Sequence, residues 1–245
     1  MLSELVIDHS HWVRSYGPVW PCLIATIAFA LMAFIARAVT RVGAVAGAVV
    51  CFLLCAGAGF PALAALMAVF VMAWLSTKIG YPKKLKFGTA EKIGGSNALQ
   101  VFANLGVAAF CAGIYAFTIS PILLLAIAAS LAEAAADTVS SEVGQLSTEK
   151  VHLITSWAEV PAGTDGGVTA LGTVSGLAAA LAVSAVCVAG RMVPLKRIGI
   201  PIIAALCGTV ADSFLGALFE RKKLMNNDLV NFLGTLIAAL IATAA

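Results

Sequence analysis

Two acidic residues lie inside an otherwise apolar stretch of the chain, and their spacing places them on one face of a helix. Glu133 and Asp137 are four residues apart, and Ser140, Ser141 and Gly144 continue the same face. A charged side chain within a membrane helix costs about 2.5 to 3.5 kcal/mol on insertion scales, so such a residue normally has a partner or a function. The segment 133–144 is therefore the first candidate for chemistry.

Four carboxylates are candidate catalytic groups: Asp137, Glu142, Asp165 and Asp212. We predict that Asp137, Glu142 and Asp212 bind Mg²⁺, an ion that usually takes one or two carboxylates while water and phosphate oxygens complete its shell. Asp165 could bind the metal or a ribose. The alternative is that Asp137 pairs with a lysine, or that the membrane acids are protonated structural hydrogen bonders. Four acids together with glycine loops favour the metal site.

A glycine-rich run, GTDGG at 163–167, precedes an apolar segment. Backbone N–H groups of Thr164, Gly166 and Gly167 are predicted to cradle phosphate oxygens, helped by the N-terminal dipole of the following helix. The run lacks the lysine and the spacing of a Walker A motif. The alternative is that Thr164 or Asp165 only caps the helix.

The elements that must position these residues are membrane helices. The chain has 245 residues, of which 61% are hydrophobic and 11% charged, and its mean hydropathy is +1.02. A soluble domain averages about 25% charged residues, so this composition indicates a polytopic, all-α membrane bundle. The net charge of +3 comes with no basic, aromatic-interleaved patch, which argues against nucleic-acid binding. The six cysteines lie in apolar runs and are predicted to be buried free thiols.

About eight transmembrane helices are predicted, with seven if the short second segment is re-entrant. They cover 18–36, 42–56, 61–79, 98–117, 121–140, 168–189, 198–219 and 229–244. The chain 1–245 is interpreted as a single integral membrane domain. Residues 1–79 would be an interfacial leader (1–16) and three scaffold helices, and residues 80–245 the catalytic helices and loops.

Basic residues indicate the orientation of the bundle. With eight helices, one side receives 11 of the 15 Lys and Arg residues, and that side should be cytoplasmic, or stromal in a plastid. The polar residues of helices that run in alternate directions all fall at this same face, where independent packing would not require them to meet. Those polar residues are Asn97, Gln100, Asn104, Glu133, Asp137, Thr169, Thr173, Asp212, Glu220, Asn227, Asp228 and Asn231.

Two motifs carry a family resemblance: DTVSSEVG at 137–144 and GTDGGVT at 163–169. With QVFAN at 100–104, ADSFLGA at 211–217 and Asn227-x-x-x-Asn231, the chain resembles the membrane-integral phytyl-phosphate kinase family over about 83–231. That family is distantly similar to dolichol kinase and CDP-diacylglycerol synthase. The resemblance implies transfer of a phosphoryl group from a nucleoside triphosphate, with CTP expected, to an isoprenoid monophosphate such as phytyl phosphate, in tocopherol biosynthesis.

The resemblance also implies substrate-binding roles. Lys86 would neutralise phosphate charge, and Asn104 and Asn231 would orient phosphate or ribose oxygens. Several family members carry an arginine where this chain has Ser96, and Lys86 or Lys92 could supply that contact. The predicted substrate-binding residues are Lys86, Asn104, Thr138, Ser141, Thr164, Gly166, Gly167, Asn227 and Asn231.

Two other functions remain alternatives. A transporter or flippase of a phosphorylated lipid would place its polar site near the membrane midplane, often between inverted repeats. A cytidylyltransferase would release pyrophosphate. The sequence predicts an integral protein of a plasma membrane or thylakoid-type membrane, and leaves open whether it forms a homo-oligomer.

Overall fold

A computed structural model describes residues 19–88, 95–148 and 150–245; the predicted leader and Lys92 lie outside these ranges. Three short strands lie between the fifth and sixth helices: β1 (Val151–Leu153), β2 (Glu159–Val160) and β3 (Gly167–Val168). The helices in chain order are α1 (Trp20–Ile35), α2 (Arg41–Lys78), α3 (Tyr81–Phe87), α4 (Ala98–Thr118), α5 (Pro121–Gly144), α6 (Ala170–Ala189), α7 (Gly199–Leu215) and α8 (Asn227–Ala244).

Six helical segments of the described chain are long and apolar enough to cross a membrane: α2, α4, α5, α6, α8 and the segment Leu195–Glu220, which contains α7. The shorter helix α1 is apolar and has 16 residues. This set of apolar helices confirms the predicted all-α polytopic bundle.

Helix α2 is broken near its middle. Gly59 has φ 83° and ψ −176°, outside the helical region, and Pro61 follows. Unbroken, its 38 residues would extend about 57 Å, nearly twice the thickness of a bilayer core. Gly43 and Lys78, from opposite ends of α2, line the same cavity, so the helix folds back at Gly59. Its first arm (41–58) and second arm (61–78) correspond to the second and third predicted helices.

Helix α5, which carries Glu133 and Asp137, is the central element of the bundle. It contacts α2, α4, α6, α7 and α8, and its residues from Leu124 to Ala136 are all buried. The alanine-rich sequence of this stretch allows neighbouring backbones to approach closely. Gly176 of α6 shows this, because a Cβ atom there would lie 3.0 Å from the Ala136 carbonyl oxygen.

The small antiparallel sheet, in the order β2-β1-β3, is an addition to the predicted all-α fold. His152 of β1 is paired with Glu159 on one side and Val168 on the other. Because β3 occupies residues 167 and 168, α6 begins only at Ala170. Its cap is Thr169, whose Oγ1 accepts a hydrogen bond from the Gly172 N–H at 3.0 Å. The alternative that Thr164 or Asp165 caps this helix is therefore wrong.

One pair of cysteines departs from the prediction of free thiols. Cys22 of α1 and Cys55 of the first arm of α2 form a disulfide, with Cα atoms 5.6 Å apart. The two residues are 33 positions apart in sequence and belong to no local cysteine pattern, so only tertiary packing brings them together. Cys51, Cys111 and Cys187 are buried and free, as predicted, whereas Cys207 is free but exposed.

Candidate functional site

Two cavities meet at the end of the bundle where α5 ends and α6 begins. The first, about 460 Å³, lies between α5, the loop preceding β3, α6 and α7, and is called the acidic cavity below. The second, about 600 Å³, lies between α1, both arms of α2, α4, α5 and α8, and is called the cationic cavity. Asp137, Ser141 and Asn227 line both cavities. These three side chains therefore form the boundary between the two chambers.

Four carboxylates line the acidic cavity: Asp137, Asp165, Asp212 and Glu220. The side chains of Asp137 and Asp212 lie within hydrogen-bonding reach of each other. Glu220 is close enough to Asp165 and Asp137 for their charges to interact. The described residues that line this cavity include no lysine or arginine. Such a concentration of negative charge calls for a bound cation or for protons between the oxygens.

Asp212 and Glu133 each present a buried oxygen that the protein leaves without a hydrogen-bond partner. These atoms are Asp212 Oδ2 and Glu133 Oε1. Glu133 is one helical turn below Asp137 on α5 and is only 1% exposed. Glycines make room for it, because a Cβ atom at Gly208 would lie 2.6 Å from Glu133 Cγ, and one at Gly234 would lie 2.7 Å from Glu133 Oε1. The four-residue spacing predicts that Glu133 and Asp137 share a helical face. The proximity of Glu133 to Asp212 depends on the packing of different helices and has no local signal in the sequence.

The oxygen atoms of Asp137 and Asp212 have the chemistry of a magnesium site. Both are hard carboxylate ligands, and one of their oxygens is buried without a partner. In the described part of the chain, no group of three His, Cys, Asp or Glu side chains converges closely enough to hold a metal ion by itself. Two carboxylates nevertheless suit Mg²⁺ in sites where phosphate oxygens complete the shell. The residues therefore fit a magnesium ion whose shell is completed by oxygen atoms from outside the protein.

Glu142, the third predicted metal ligand, lies on the other side of the boundary. It lines the cationic cavity and forms a short ion pair with Lys84, which is fully buried. Lys84 also donates a hydrogen bond to the Ser76 carbonyl oxygen at 2.7 Å. Lys86, the lysine that the sequence favoured for a phosphate contact, is exposed and lines neither cavity. The sequence missed Lys84 because its neighbours indicated only a basic surface loop.

The GTDGG loop forms a wall of the acidic cavity. Gly166 has φ 74°, and a Cβ atom there would lie 2.5 Å from Ala217 Cβ and 2.6 Å from the Ser213 carbonyl oxygen. The loop is thus packed against the π-helical turn Gly216–Glu220 that follows α7, a feature often found at functional sites. The Gly167 N–H donates to the Thr164 carbonyl oxygen at 2.8 Å, and the Thr164 N–H donates to Pro161. Two of the three predicted phosphate donors are therefore engaged within the loop, which leaves the Gly166 N–H.

The cationic cavity changes character from its rim to its floor. Arg37 and Lys78 line it beside the polar pair Asn104 and Asn231, in which Asn231 Nδ2 donates to Asn104 Oδ1 at 3.3 Å. Apolar side chains complete the lining: Phe29, Leu66, Val69 and Phe70. Helix α1 and both arms of α2, predicted to be scaffold, therefore line a cavity that also reaches Asp137.

Twelve of the thirteen predicted site residues line one cavity or both, so polar groups of helices that run in alternate directions lie together at one end of the bundle. The acidic cavity includes Asp137, Ser141, Thr164, Asp165, Gly166, Gly167, Asp212 and Asn227. The cationic cavity adds Asn104, Thr138, Glu142 and Asn231. Which membrane surface this end faces stays a prediction.

Several curated proteins are similar to this chain. The uncharacterized membrane protein MJ0933 of Methanocaldococcus jannaschii is 32% identical over 216 residues, which cover 86% of this chain and 87% of that protein. The uncharacterized membrane protein sll0875 of Synechocystis is 32% identical over 192 residues, covering 76% and 74%. Protein VTE6, chloroplastic, of Arabidopsis thaliana is 29% identical over 195 residues, which cover 76% of this chain but 57% of VTE6. No solved structure is significantly similar.

The profile of one protein family, integral membrane protein DUF92, matches residues 24–239. The match includes at least part of every helix that lines the two cavities and agrees with the membrane family that the DTVSSEVG and GTDGGVT motifs resemble. Because it covers far more than half of the sequence, the chain belongs to the DUF92 family of integral membrane proteins.

Proposed function

We propose that this protein is a membrane-embedded phosphotransferase. It would transfer the γ-phosphoryl group of a nucleoside triphosphate, CTP in the first place, to an isoprenoid monophosphate such as phytyl phosphate. The observation that carries the proposal is the meeting of an acidic cavity and a cationic cavity at Asp137, Ser141 and Asn227. The resemblance of the two motifs to the phytyl-phosphate kinase family supports it, and would assign the reaction to tocopherol biosynthesis where that pathway exists.

The proposed phosphoryl transfer needs no side chain that acts as a general base. An oxygen of the acceptor phosphate attacks the γ-phosphorus, and the bond from that phosphorus to the oxygen bridging it to the β-phosphate breaks. The products are an isoprenoid diphosphate and a nucleoside diphosphate. Because the acceptor oxygen is already anionic, no general base is required. Catalysis then depends on positioning and on neutralising charge around the transferred group.

The side chains of the acidic cavity suit a magnesium–nucleotide complex. Asp137 and Asp212 would hold Mg²⁺, which when bound neutralises charge on the triphosphate. The Gly166 N–H would contact phosphate oxygens, and Asp165, at the exposed edge, would bind the metal or the ribose. Asn227, at the boundary, would orient the transferred group.

The proposal is tested by assaying phosphoryl transfer with purified protein in detergent. The assay contains Mg²⁺, CTP labelled on its γ-phosphate and phytyl monophosphate. We expect label in phytyl diphosphate, and we expect Asp137→Asn to reduce the rate by at least about a hundredfold, because it weakens the predicted metal site. A matched control is Glu159→Gln, an exposed carboxylate whose ion pair with Lys150 lies outside both cavities.

Three results would contradict the proposal. Undiminished transfer by Asp137→Asn would remove this residue from the reaction. Release of pyrophosphate with the lipid joined to CMP would identify a cytidylyltransferase. Binding of the lipid phosphate without transfer from any nucleoside triphosphate would favour a transporter.

A further inference from the structure

We infer that the cationic cavity is the acceptor site, and that it binds a single-chain lipid phosphate with the phosphate at its rim and the chain on its apolar floor. The phosphate would lie between Arg37 and Lys78, and the first part of the chain would pack on Phe29, Leu66 and Phe70. This inference rests on the proposed function and assigns to it residues of α1 and α2 that the sequence pattern did not include.

The acidic cavity is lined by carboxylates and the cationic cavity by two cations, and this difference in charge would direct the two substrates to different cavities. In the cationic cavity, Glu142 is paired with the buried Lys84, so its charge is compensated within the protein. The other charged residues in the described lining of this cavity are Arg37, Lys78 and Asp137, so two of these three are cations. The two cations come from different turns of the chain, one after α1 and one at the end of α2. An anion that carries no cation of its own is favoured here and disfavoured in the acidic cavity.

Polarity falls with depth along both helices that supply the cations. Phe70 precedes Lys78 by eight residues in the second arm of α2, so at 1.5 Å per residue it lies about 12 Å deeper than that cation. Phe29 lies about 9 Å before the end of α1 at Ile35, and Arg37 follows that end by two residues. The two rings contact each other edge to face, with centroids 5.1 Å apart. Leu66 continues the apolar surface one turn further along the second arm of α2. A ligand that fits this gradient has an anionic head and an apolar tail.

The size and position of the cavity suit an acceptor. Its volume of about 600 Å³ lies within the range of small-molecule sites, so it can hold a phosphate and the first isoprene units of a longer chain. It reaches Asp137 from the side of α2, α4 and α8, whereas the acidic cavity reaches the same residue from the side of α6 and α7. The attacking oxygen and the departing nucleotide would therefore approach the boundary from different chambers, as in-line transfer requires.

Binding without turnover tests this assignment directly. The full chain carrying Asp137→Asn, which removes transfer, is titrated with phytyl monophosphate in the absence of nucleotide, and the dissociation constant is measured by native mass spectrometry. Arg37→Gln and Lys78→Gln are each expected to weaken binding about tenfold, because each removes one charge-assisted contact. Lys78→Arg, which keeps the charge, should restore binding. Phe70→Ala should weaken binding of phytyl monophosphate.

Matched controls separate this site from general charge effects. Arg41→Gln and Lys222→Gln remove exposed cations that line neither cavity and should leave the dissociation constant unchanged. Two further ligands identify what the site recognises. Inorganic phosphate should bind far more weakly than phytyl monophosphate, and its binding should not change in Phe70→Ala. Equal affinity for phosphatidic acid, or for inorganic phosphate, would overturn the assignment to a single-chain lipid phosphate.

The outcomes for the site and for the reaction are distinguishable. If Arg37→Gln and Lys78→Gln bind phytyl monophosphate as tightly as their parent while the wild-type protein transfers phosphoryl groups, the acceptor site is wrong and the proposed function stands. If those variants lose binding but the wild-type protein transfers nothing from any nucleotide, the lipid site stands and the proposed function is wrong.

Discussion

The buried ion pair between Lys84 and Glu142 changes which carboxylates of the site are available to bind a metal ion. Lys84 is enclosed by the protein and contacts both Glu142 and the Ser76 carbonyl oxygen, so it ties α3 to α2 and α5. A carboxylate committed to a buried lysine has less capacity for a metal ion. At this residue the structure therefore favours a positioning role for Glu142, and it leaves Asp137 and Asp212 as the better candidates for the proposed metal site.

A comparison of Glu142→Gln with Asp212→Asn separates these roles. We expect Mg²⁺ together with CTP to raise the melting temperature of the wild-type protein and of Glu142→Gln, but not that of Asp212→Asn, because only the latter loses a metal ligand. Without ligands, Glu142→Gln should be destabilised by about 3 to 5 kcal/mol, since Lys84 is left as a buried, uncompensated charge. The melting curves are recorded in detergent with and without Mg²⁺ and CTP. Loss of the ligand-induced shift in Glu142→Gln would restore Glu142 to the metal site.

At the residue scale, sequence periodicity predicted what lies on one helix and missed what pairs between helices. Asp137, Thr138, Ser141 and Glu142 were identified because local spacing and an apolar context mark them. The partner of Glu142 could not be, since Lys84 is 58 residues away and its neighbours are surface lysines. Glu133 was similarly left outside the predicted site, because its proximity to Asp212 depends on the packing of α5 against α7 and α8.

The GTDGG loop packs against the turn after α7, and together they form one wall of the acidic cavity. Gly166→Ala should destabilise this contact for two reasons. Alanine is disfavoured at the positive φ of this residue, and its Cβ atom would lie 2.5 Å from the Cβ atom of Ala217. Gly88→Ala is the matched control, because Gly88 has φ 71° and no atom of the residues that the structure describes lies within 4 Å of the added Cβ. The control measures the conformational cost of a non-glycine residue at positive φ alone, about 1 to 2 kcal/mol.

We expect Gly166→Ala to lower the melting temperature further than Gly88→Ala and to raise the KM for the nucleotide at least several-fold, because the loop must move away from Ala217. The KM for the lipid should change much less, since the loop does not line the cationic cavity. Equal effects of the two substitutions on stability and on KM would mean that the loop contact does not support the nucleotide site.

At the scale of elements, hydropathy located the helices well, because a segment that crosses a bilayer needs about 20 apolar residues and such a signal is long. The bounds of α4 and the two arms of α2 agree with the predicted segments within a few residues. The three strands were missed because each has only two or three residues, too few for an alternating pattern. Their pairing nevertheless decides where α6 begins, and so removes the GTDGG loop from the helix N-terminus.

The orientation of the whole bundle is predicted from its charge and from one covalent link. Eleven of the 15 Lys and Arg residues were assigned to the side that carries the site, and Arg37 and Lys78 now lie in the cationic cavity at that end. Cys22 and Cys55 form their disulfide at the other end, near the start of α1 and the end of the first arm of α2. Disulfides persist in oxidising compartments and not in a reducing cytosol. Both observations favour a cytoplasmic, or stromal, site.

Cysteine labelling in intact cells tests this orientation with two matched positions. Leu224 lies in the turn before α8 at the site end, and Leu195 lies in the turn between α6 and α7 at the opposite end; they are 69% and 71% exposed. Each is replaced by cysteine in a background carrying Cys207→Ser, because Cys207 is the exposed cysteine of the described chain. A membrane-impermeant maleimide should label Leu195→Cys in intact cells, and Leu224→Cys only after permeabilisation. The reverse pattern would place both cavities on the outer surface, where the cell supplies no nucleoside triphosphate, and would contradict the orientation together with the nucleotide-dependent reaction.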